Sequence, residues 1–467
     1  MADSKKETGE ESQAQLTRDL GLFKITMMGV GMMVGAGVFV ATGIAIGEAG
    51  PGGILITFAL NGLLAFCSTM AYAELASAMP GAGGGYSYVK NAFGGVIGFL
   101  SGWMSWFGSA VSGSLYAITF STYTLHLLKA GGLFSPLNIS PGLFKKVLAI
   151  LVALIFAGIN YLGSSETGTA SIFITMGQTA VLVFIGISGI VFAFLQPDRL
   201  GHFSNFLPNG WGKILATMGF TYVGFEGYEI IAQSGEETIN PKKNIPKALF
   251  LAIIIVTTLY LLVAFAAVIG AKPGQMSLIA WFNQHGSTAF AEAITDMLPF
   301  GGILVSLAAI LSSTSALNAT TFSSSRVSFA MGRDGYLPEK LGAISKKRNI
   351  PHIALMVSTL IIIVMAIALP VKDIAAGASI MFLGLFLSVN LGIIKIRRSK
   401  GNNLNYGYLM PFFPVIPITS IVIQLVLSVW VLDVSKTAWL ASGIWIISGL
   451  LVYFGYYKTK DEKVKTF

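Results

Sequence analysis

Two glycine clusters lie in the middle of apolar stretches of the chain, at residues 29–37 and 219–227. Because glycine has no side chain and tolerates unusual backbone dihedral angles, each cluster allows a helix to break and to leave N–H and C=O groups without intrahelical partners. Such groups are costly in lipid and suit a polar ligand. Close helix packing is the alternative use of these glycines, and the spacing of Gly31 and Gly35 is compatible with it.

Two carboxylates, Glu226 and Glu229, lie in or beside the second cluster. A carboxylate inside a membrane span costs about 2.5 to 3.5 kcal/mol on insertion scales, so each is a functional candidate that could bind a cation or accept a proton. The alternative for Glu226 is a structural role, in which it pairs with a backbone amide or a buried hydroxyl and organises the broken helix. Glu74 is expected to be structural and to pair with a loop arginine.

The elements that must position these groups are membrane-spanning helices. With 54% hydrophobic and 11% charged residues, the chain cannot be a water-soluble globule. A spanning helix needs about 20 mostly apolar residues, and we predict an all-α integral membrane protein with about twelve spans. The spans are expected to start near Phe23, Gly52, Gly95, Lys146, Thr169, Trp211, Lys247, Ala291, His352, Lys372, Tyr408 and Lys436.

The distribution of charge predicts the orientation, because short cytoplasmic loops are enriched in Lys and Arg. The densest basic loop runs from Arg326 to Arg348. With this loop inside, both termini are expected in the cytoplasm and the protein in the cell membrane. The basic residues that give the net charge of +9 are spread over many loops and form no single basic face. The charge therefore does not indicate nucleic-acid binding.

The two glycine clusters occupy corresponding positions in successive units of five helices. This arrangement is typical of an inverted-repeat secondary transporter with its site at the membrane midplane, so ligand binding is favoured over packing alone. The predicted boundaries are a disordered N-terminal tail at 1–17, a first repeat of helices 1–5 at 18–195, a second repeat of helices 6–10 at 205–400, two additional helices at 405–457, and a C-terminal tail at 458–467.

Several other classes of function are disfavoured by the composition. The single cysteine, Cys67, and four scattered histidines offer no metal-ligand set, so we expect no metal and no cofactor other than a coupling H⁺ or Na⁺. Motifs of hydrolytic enzymes, such as His-Glu-x-x-His and Gly-x-Ser-x-Gly, are absent from the sequence, and an enzyme is not expected. A membrane sensor that binds its ligand without transporting it stays open as an alternative, although the tails are short.

Three motifs resemble those of a known family. Residues 35–39 are similar to Gly-x-Gly-Ile-Phe, and residues 220–226 followed by 235–246 are similar to the sixth span and the Gly-Glu-Glu-x-x-Asn-Pro-x-x-x-Ile-Pro loop of the amino acid, polyamine and organocation (APC) superfamily. The third motif lies within 317–338, and a weaker match lies at Tyr72–Leu75. Over roughly residues 18 to 400, the chain resembles the amino-acid permeases of the cationic and heteromeric branches.

The resemblance implies a five-plus-five inverted repeat with discontinuous helices 1 and 6, plus two additional helices. It also implies that backbone atoms bind the zwitterion shared by amino acids. The N–H groups at the start of the second half of helix 1 suit an α-carboxylate, and released carbonyls suit an α-ammonium. The implied backbone-binding residues are Met33, Gly35, Ala36, Gly37, Phe220, Val223 and Gly224.

Substrate preference is predicted from the implied side-chain pocket. Cationic-substrate relatives often have an acidic residue in the third span where this chain has Gly108, and an unpaired cation there would be costly. We therefore expect transport of a neutral, apolar amino acid, with a cationic amino acid or a polyamine as the alternative. A membrane amino-acid sensor is the alternative from another class of function. Phe220 is also expected to cover the ligand as part of the outer gate. The implied pocket residues are Met104, Gly108, Ser109, Phe220 and Glu226.

The driving force is left open by the sequence. Many relatives have a lysine in the fifth span where this chain has Gln178, which cannot titrate. Proton symport through Glu226 or Glu229, sodium symport, and exchange or facilitated passage all remain, and so does the question of a partner subunit. The expected partners are a small amino acid and the lipid bilayer. The further candidates for ion or proton coupling are Val34, Gln178, Ser312, Ser313 and Ser315.

Overall fold

The structure is a computed structural model that describes residues 18–81, 83–135, 138–162, 167–345, 348, 350–400 and 403–458. The N-terminal tail predicted at 1–17 and residues 459–467 of the predicted C-terminal tail lie outside these residues. Within them the fold is helical. One isolated parallel bridge joins Leu20 to Thr238, where Leu20 N donates to Glu237 O at 3.0 Å and Ile239 N donates to Leu20 O at 2.9 Å.

The described helices follow one another along the chain with short connections. Eight of them are long and apolar enough to cross a membrane by length and composition, so the protein is a multi-pass membrane protein. The helices are α1 (Leu22–Met33), α2 (Ala36–Phe39), α3 (Ala41–Ala49), α4 (Pro51–Ala78), α5 (Gly84–Phe93), α6 (Gly95–Ala130), α7 (Pro141–Leu162), α8 (Thr167–Leu195), α9 (Gly210–Thr221), α10 (Tyr228–Gln233), α11 (Pro241–Gly270), α12 (Leu278–His285), α13 (Ala289–Met297), α14 (Gly301–Arg333), α15 (His352–Ala368), α16 (Val371–Lys400), α17 (Val415–Val434) and α18 (Lys436–Val452).

Both predicted helix breaks are present. The first apolar stretch is divided into α1, α2 and α3, with Val34 and Gly35 outside helical geometry between the first two. The sixth stretch is divided into α9, a 3₁₀ turn at Tyr222–Phe225, and α10. The glycine clusters therefore interrupt the helices where the sequence predicted.

Three of the predicted span starts are wrong by six residues or more. The span expected to start near Tyr408 begins at Val415. The span expected to start near Ala291 begins at Gly301, because α13 ends at Met297 and a proline at 299 disfavours helical geometry in the preceding residue. The span expected from Lys247 belongs to α11, which already begins at Pro241. Proline is tolerated in the first turn of a helix, where its missing N–H would lack a partner anyway.

The buried core surrounds the two broken helices. Helix α6 packs along α14 and α16, and α11 packs along α1, α4 and α8. Helix α16 is mostly buried within the protein, whereas α7 and α18 expose most of their apolar surface. Such exposed apolar surface is expected where helices face lipid, so the inner helices are left to hold the polar groups.

Candidate functional site

The end of α1 releases the carbonyl groups of Met32, Met33 and Val34 from intrahelical bonding, because the helix stops at Met33. Hydroxyl groups from two other helices replace the lost donors. Tyr116 on α6 donates to Met32 O at 3.1 Å, and Tyr260 on α11 donates to Met33 O at 2.6 Å. Both tyrosines are buried. The break is thus held open by side chains from the surrounding helices.

Tyr260 also joins the two breaks. The Tyr260 hydroxyl lies 2.9 Å from Gly224 O in the sixth stretch, as well as 2.6 Å from Met33 O, so its single hydrogen is shared between the two carbonyls. The breaks are also in direct contact, since a Cβ atom at Gly37 would lie 2.8 Å from the Cα of Gly224. Only glycine allows this approach.

Ser379 on α16 stabilises the break in the sixth stretch. Its hydroxyl donates to Phe220 O at 3.0 Å and accepts from Val223 N at 2.9 Å. In a continuous helix these two backbone groups would bond to Gly224 N and Gly219 O. One buried serine therefore satisfies a donor and an acceptor that the break sets free.

The second part of helix 1 presents backbone N–H groups toward the break. Gly35 has neither helical nor extended backbone geometry, with φ −126° and ψ −138°, and donates its own N–H to Met33 O at 2.8 Å. Ala36 and Gly37 follow as the first residues of α2, and the first N–H groups of a helix have no intrahelical acceptor. Helix α2 continues into α3 through Val40, whose backbone is helical, so the positive end of a longer dipole lies at this point.

Glu226 is fully buried and bonds to hydroxyl groups of α6. Ser112 donates to Glu226 Oε2 at 2.7 Å, and the Tyr116 hydroxyl lies 3.2 Å from Oε1. Among the described residues, no lysine or arginine pairs with this carboxyl group. A buried hydroxyl therefore engages Glu226, and the choice between its structural and its proton-binding role stays a prediction.

The predicted pocket residues of α6 lie close to α16 and to Ser112. Gly108 faces α16, where an added Cβ would lie 3.1 Å from Phe382, and the Met104 sulfur also lies against α16. Ser109 is buried, and both Gly108 and Ser109 lie within about one turn of Ser112, which bonds to Glu226. Phe220 is fully buried at the end of α9. Their contacts with a substrate remain a prediction.

The predicted ion-coupling residues converge in part. Gln178 Nε2 donates to Val34 O at 3.2 Å, and the Ser312 hydroxyl donates to the same carbonyl. Within the described part of the chain, Gln178 Oε1 has no hydrogen bond. Ser313 donates instead to Ala309 O of its own helix at 2.7 Å. Ser315 is half-buried on the same helix.

Two further buried carboxylates of the described residues, Glu74 and Glu229, have partners of their own. Glu74 on α4 forms an ion pair with Arg397 at 2.8 Å and accepts from Met410 N at 2.8 Å, which agrees with the structural role predicted for it. The arginine belongs to helix α16 and not to a loop. Glu229 on α10 accepts from Gly85 N at 2.8 Å, and so it contacts α5.

Sequence reasoning missed four hydroxyl-bearing residues that hold the breaks: Ser112, Tyr116, Tyr260 and Ser379. Serines in membrane helices often bond within their own helix, and the chain has 15 tyrosines. Residue type alone therefore does not single out these four. A weak signal was present in α6, where Ser112 and Tyr116 are four residues apart and hence on one face. Tyr260 and Ser379 had no comparable local signal.

Comparison with known proteins adds to this geometry. A model of the amino acid permease family matches residues 20–454. The chain is 27% identical over 466 residues to the branched-chain amino acid permease BcaP of Bacillus subtilis, covering 98% of this chain and 96% of that protein. It is 28% identical over 458 residues to the methylthioribose transporter of the same organism, covering 96% and 95%. It is 28% identical over 451 residues to the mouse large neutral amino acids transporter small subunit 2, covering 94% and 81%.

Proposed function

Because the chain belongs to the amino acid permease family, we propose that it is a secondary transporter that moves a neutral, apolar amino acid across the cell membrane by alternating access. The observation that supports this most directly is the contact between two helix breaks inside a multi-pass membrane protein. Unpaired N–H groups and side-chain-held carbonyls meet there, and the zwitterion of an amino acid needs both kinds of group.

The architecture we infer has twelve spans. To the eight long apolar helices we add the divided first and sixth stretches, α6 and α15. Spans one to five and six to ten would form the two inverted repeats. Both termini would lie in the cytoplasm, because the sequence predicts an excess of basic residues in the connections on that side. The corresponding positions of the two breaks support this arrangement.

Recognition of the substrate backbone is assigned to the first helix and the sixth. The N–H groups of Ala36 and Gly37 would bind the α-carboxylate, because they lie at the positive end of α2 and α3. The α-ammonium would bind carbonyls at Met33, Val223 and Gly224. A carbonyl oxygen has two lone pairs, so Gly224 O can accept from Tyr260 and from an ammonium together. Met33 O already accepts from both Tyr260 and Gly35 N, and an ammonium there would have to replace one of these donors.

A neutral side chain is supported by the state of Glu226. Both oxygens of this carboxyl group face hydroxyls of α6. A cationic substrate would have to displace these donors, and Gly108 offers no carboxylate in their place. The names of two relatives, a branched-chain amino acid permease and a large neutral amino acids transporter subunit, point in the same direction.

For the driving force we propose independence from sodium. A sodium ion at the break of helix 1 would need Val34 O as a ligand, and two neutral donors, Gln178 and Ser312, already occupy this carbonyl. Proton coupling has a site in Glu226. Tyr116 has one hydrogen and two acceptors, Met32 O and Glu226 Oε1, and a proton on Glu226 would let the carboxyl donate to Tyr116 while Tyr116 donates to Met32.

Uptake into proteoliposomes tests this function. Labelled leucine, valine, phenylalanine, lysine, putrescine and methylthioribose would be offered under a pH gradient, a sodium gradient, or with unlabelled internal substrate alone. We expect accumulation of the neutral amino acids with a pH gradient or by exchange, without a requirement for sodium. Uptake of lysine or putrescine alone would refute the substrate class, and saturable binding without flux of any compound would support a sensor.

A further inference from the structure

Glu229 is a buried carboxylate that takes no part in the site described above. It lies on α10, the second half of the sixth stretch, and is 1% exposed. Its Oε1 accepts the backbone N–H of Gly85 at 2.8 Å. Gly85 is the second residue of α5, so the carboxylate meets one of the N–H groups that the first turn of a helix leaves unpaired.

One turn further along α10, Gln233 extends the contact to a third helix. Its Nε2 donates to Glu229 Oε1 at 3.3 Å, and its Oε1 accepts from the Ser323 hydroxyl on α14 at 3.1 Å. Glu229 and Gln233 are four residues apart and hence on one side of α10. The pair therefore joins α10 to α5 and to α14.

The fit between α5 and α10 depends on two glycines. A Cβ at Gly84 would clash with Glu229 Oε1, and a Cβ at Gly85 would clash with the Tyr72 hydroxyl. Gly84 also has a φ of +50°, which disfavours other residues. The second oxygen, Glu229 Oε2, lies beside the Tyr72 hydroxyl, and both atoms lack a hydrogen bond of normal geometry within the described residues.

This burial is costly for a purely structural contact. A carboxyl group without a cation partner loses its hydration, and Glu229 has no ion pair among the described residues. An apolar side chain would fill the same space at lower cost. A contact that must form and break has a different requirement, because a polar group can exchange its protein donors for water when the helices separate.

We propose that Glu229 is the latch that closes the cytoplasmic half of the transport pathway, by holding α10 against α5 and α14. This inference rests on the proposed function, since it assumes alternating access. Helix α10 packs closely on α1, where a Cβ at Gly29 would clash with Ile231, so the two half-helices move together. An outward movement of α1 and α10 would break the Gly85–Glu229 and Gln233–Ser323 hydrogen bonds and admit water.

The test uses a reporter cysteine on α10, between the two latch residues Glu229 and Gln233. With Cys67→Ala as background, Ala232→Cys places one thiol on α10, three residues after Glu229 and at a fully buried position. We expect a water-soluble maleimide supplied from the cytoplasmic side to label this thiol about tenfold faster after Glu229→Ala, because a hydrogen-bonded carboxylate is lost. Glu229→Gln keeps an oxygen for the Gly85 N–H and should restore slow labelling.

A second variant guards against misfolding. Ser323→Ala removes the other arm of the latch, and Ser325→Ala is its control, since the Ser325 hydroxyl bonds to Phe322 O of its own helix at 2.8 Å. We expect faster labelling and a lower kcat for uptake with Ser323→Ala than with Ser325→Ala. Unchanged labelling in both Glu229→Ala and Ser323→Ala would refute the latch.

The two proposals fail separately. The labelling rate needs no flux, so a protein that carries no amino acid but still shows faster labelling after Glu229→Ala would refute the proposed function and leave the latch supported. Normal uptake with equal labelling of all variants would refute the latch and leave the proposed function supported.

Discussion

Ser379→Ala should impair substrate binding by allowing the sixth span to become a continuous helix. The substitution removes two buried hydrogen bonds, of 3.0 Å to Phe220 O and 2.9 Å from Val223 N. With each bond contributing about 1 kcal/mol, the broken conformation loses about 2 kcal/mol relative to a continuous one. Since 1.4 kcal/mol is a factor of about ten, the population of the binding-competent conformation falls up to about thirtyfold, and the apparent Kd rises by that factor if the break is required.

The measurement is equilibrium binding of the preferred amino acid to purified protein, with thermal unfolding recorded on the same samples. Ser388→Ala is the matched control on α16, because among the described residues the Ser388 hydroxyl bonds only to Gly384 O of its own helix, at 2.8 Å. We expect Ser388→Ala to bind like the unmodified protein. A Kd for Ser379→Ala within about threefold of this control would show that the serine does not maintain the break.

Three further outcomes follow from the geometry. Gly37→Ala should abolish uptake at normal expression, because its Cβ would lie 2.8 Å from the backbone of the second break, whereas Gly377→Ala enters open space and should transport normally. Glu226→Gln should retain exchange but lose the response to a pH gradient, and a preserved response would exclude this residue as the proton site. A hydrogen bond from His126 holds the pKa of Glu292 below its usual value, so the bond stabilises the fold above pH of about 4.3 and is lost as the pH falls through the lowered pKa. The difference in melting temperature between the unmodified protein and Glu292→Gln should therefore shrink on acidification, and an unchanged difference at low pH would refute this.

The helix breaks could be predicted because glycine acts locally. A cluster of glycines removes side chains and lowers the cost of unusual dihedral angles wherever the helix lies, so residues 29–37 and 219–227 indicated the interruptions directly. The carboxylates were equally visible, since charge within an apolar stretch is rare. Both signals depend only on a short segment of sequence.

The partners of these groups could not be predicted in the same way. Tyr260 is 227 residues from Met33 along the chain, and Ser379 is 159 residues from Phe220. Which hydroxyl meets which carbonyl depends on the packing of several helices, and no local pattern encodes it. The boundary near Ala291 was wrong for a simpler reason, because the apolar pattern continues through a proline that ends one helix before the next begins.

The backbone pairing of Leu20 with Thr238 couples the movements of the two broken helices. Backbone hydrogen bonds join the segment before the first span to the segment after the sixth span. A displacement of either segment is therefore transmitted to the other without any side chain. Removal of residues 1–17 keeps this backbone link, whereas removal of residues up to Leu20 eliminates it. A spectroscopic label at residue 18 would consequently report the movement of α1 and α10 together.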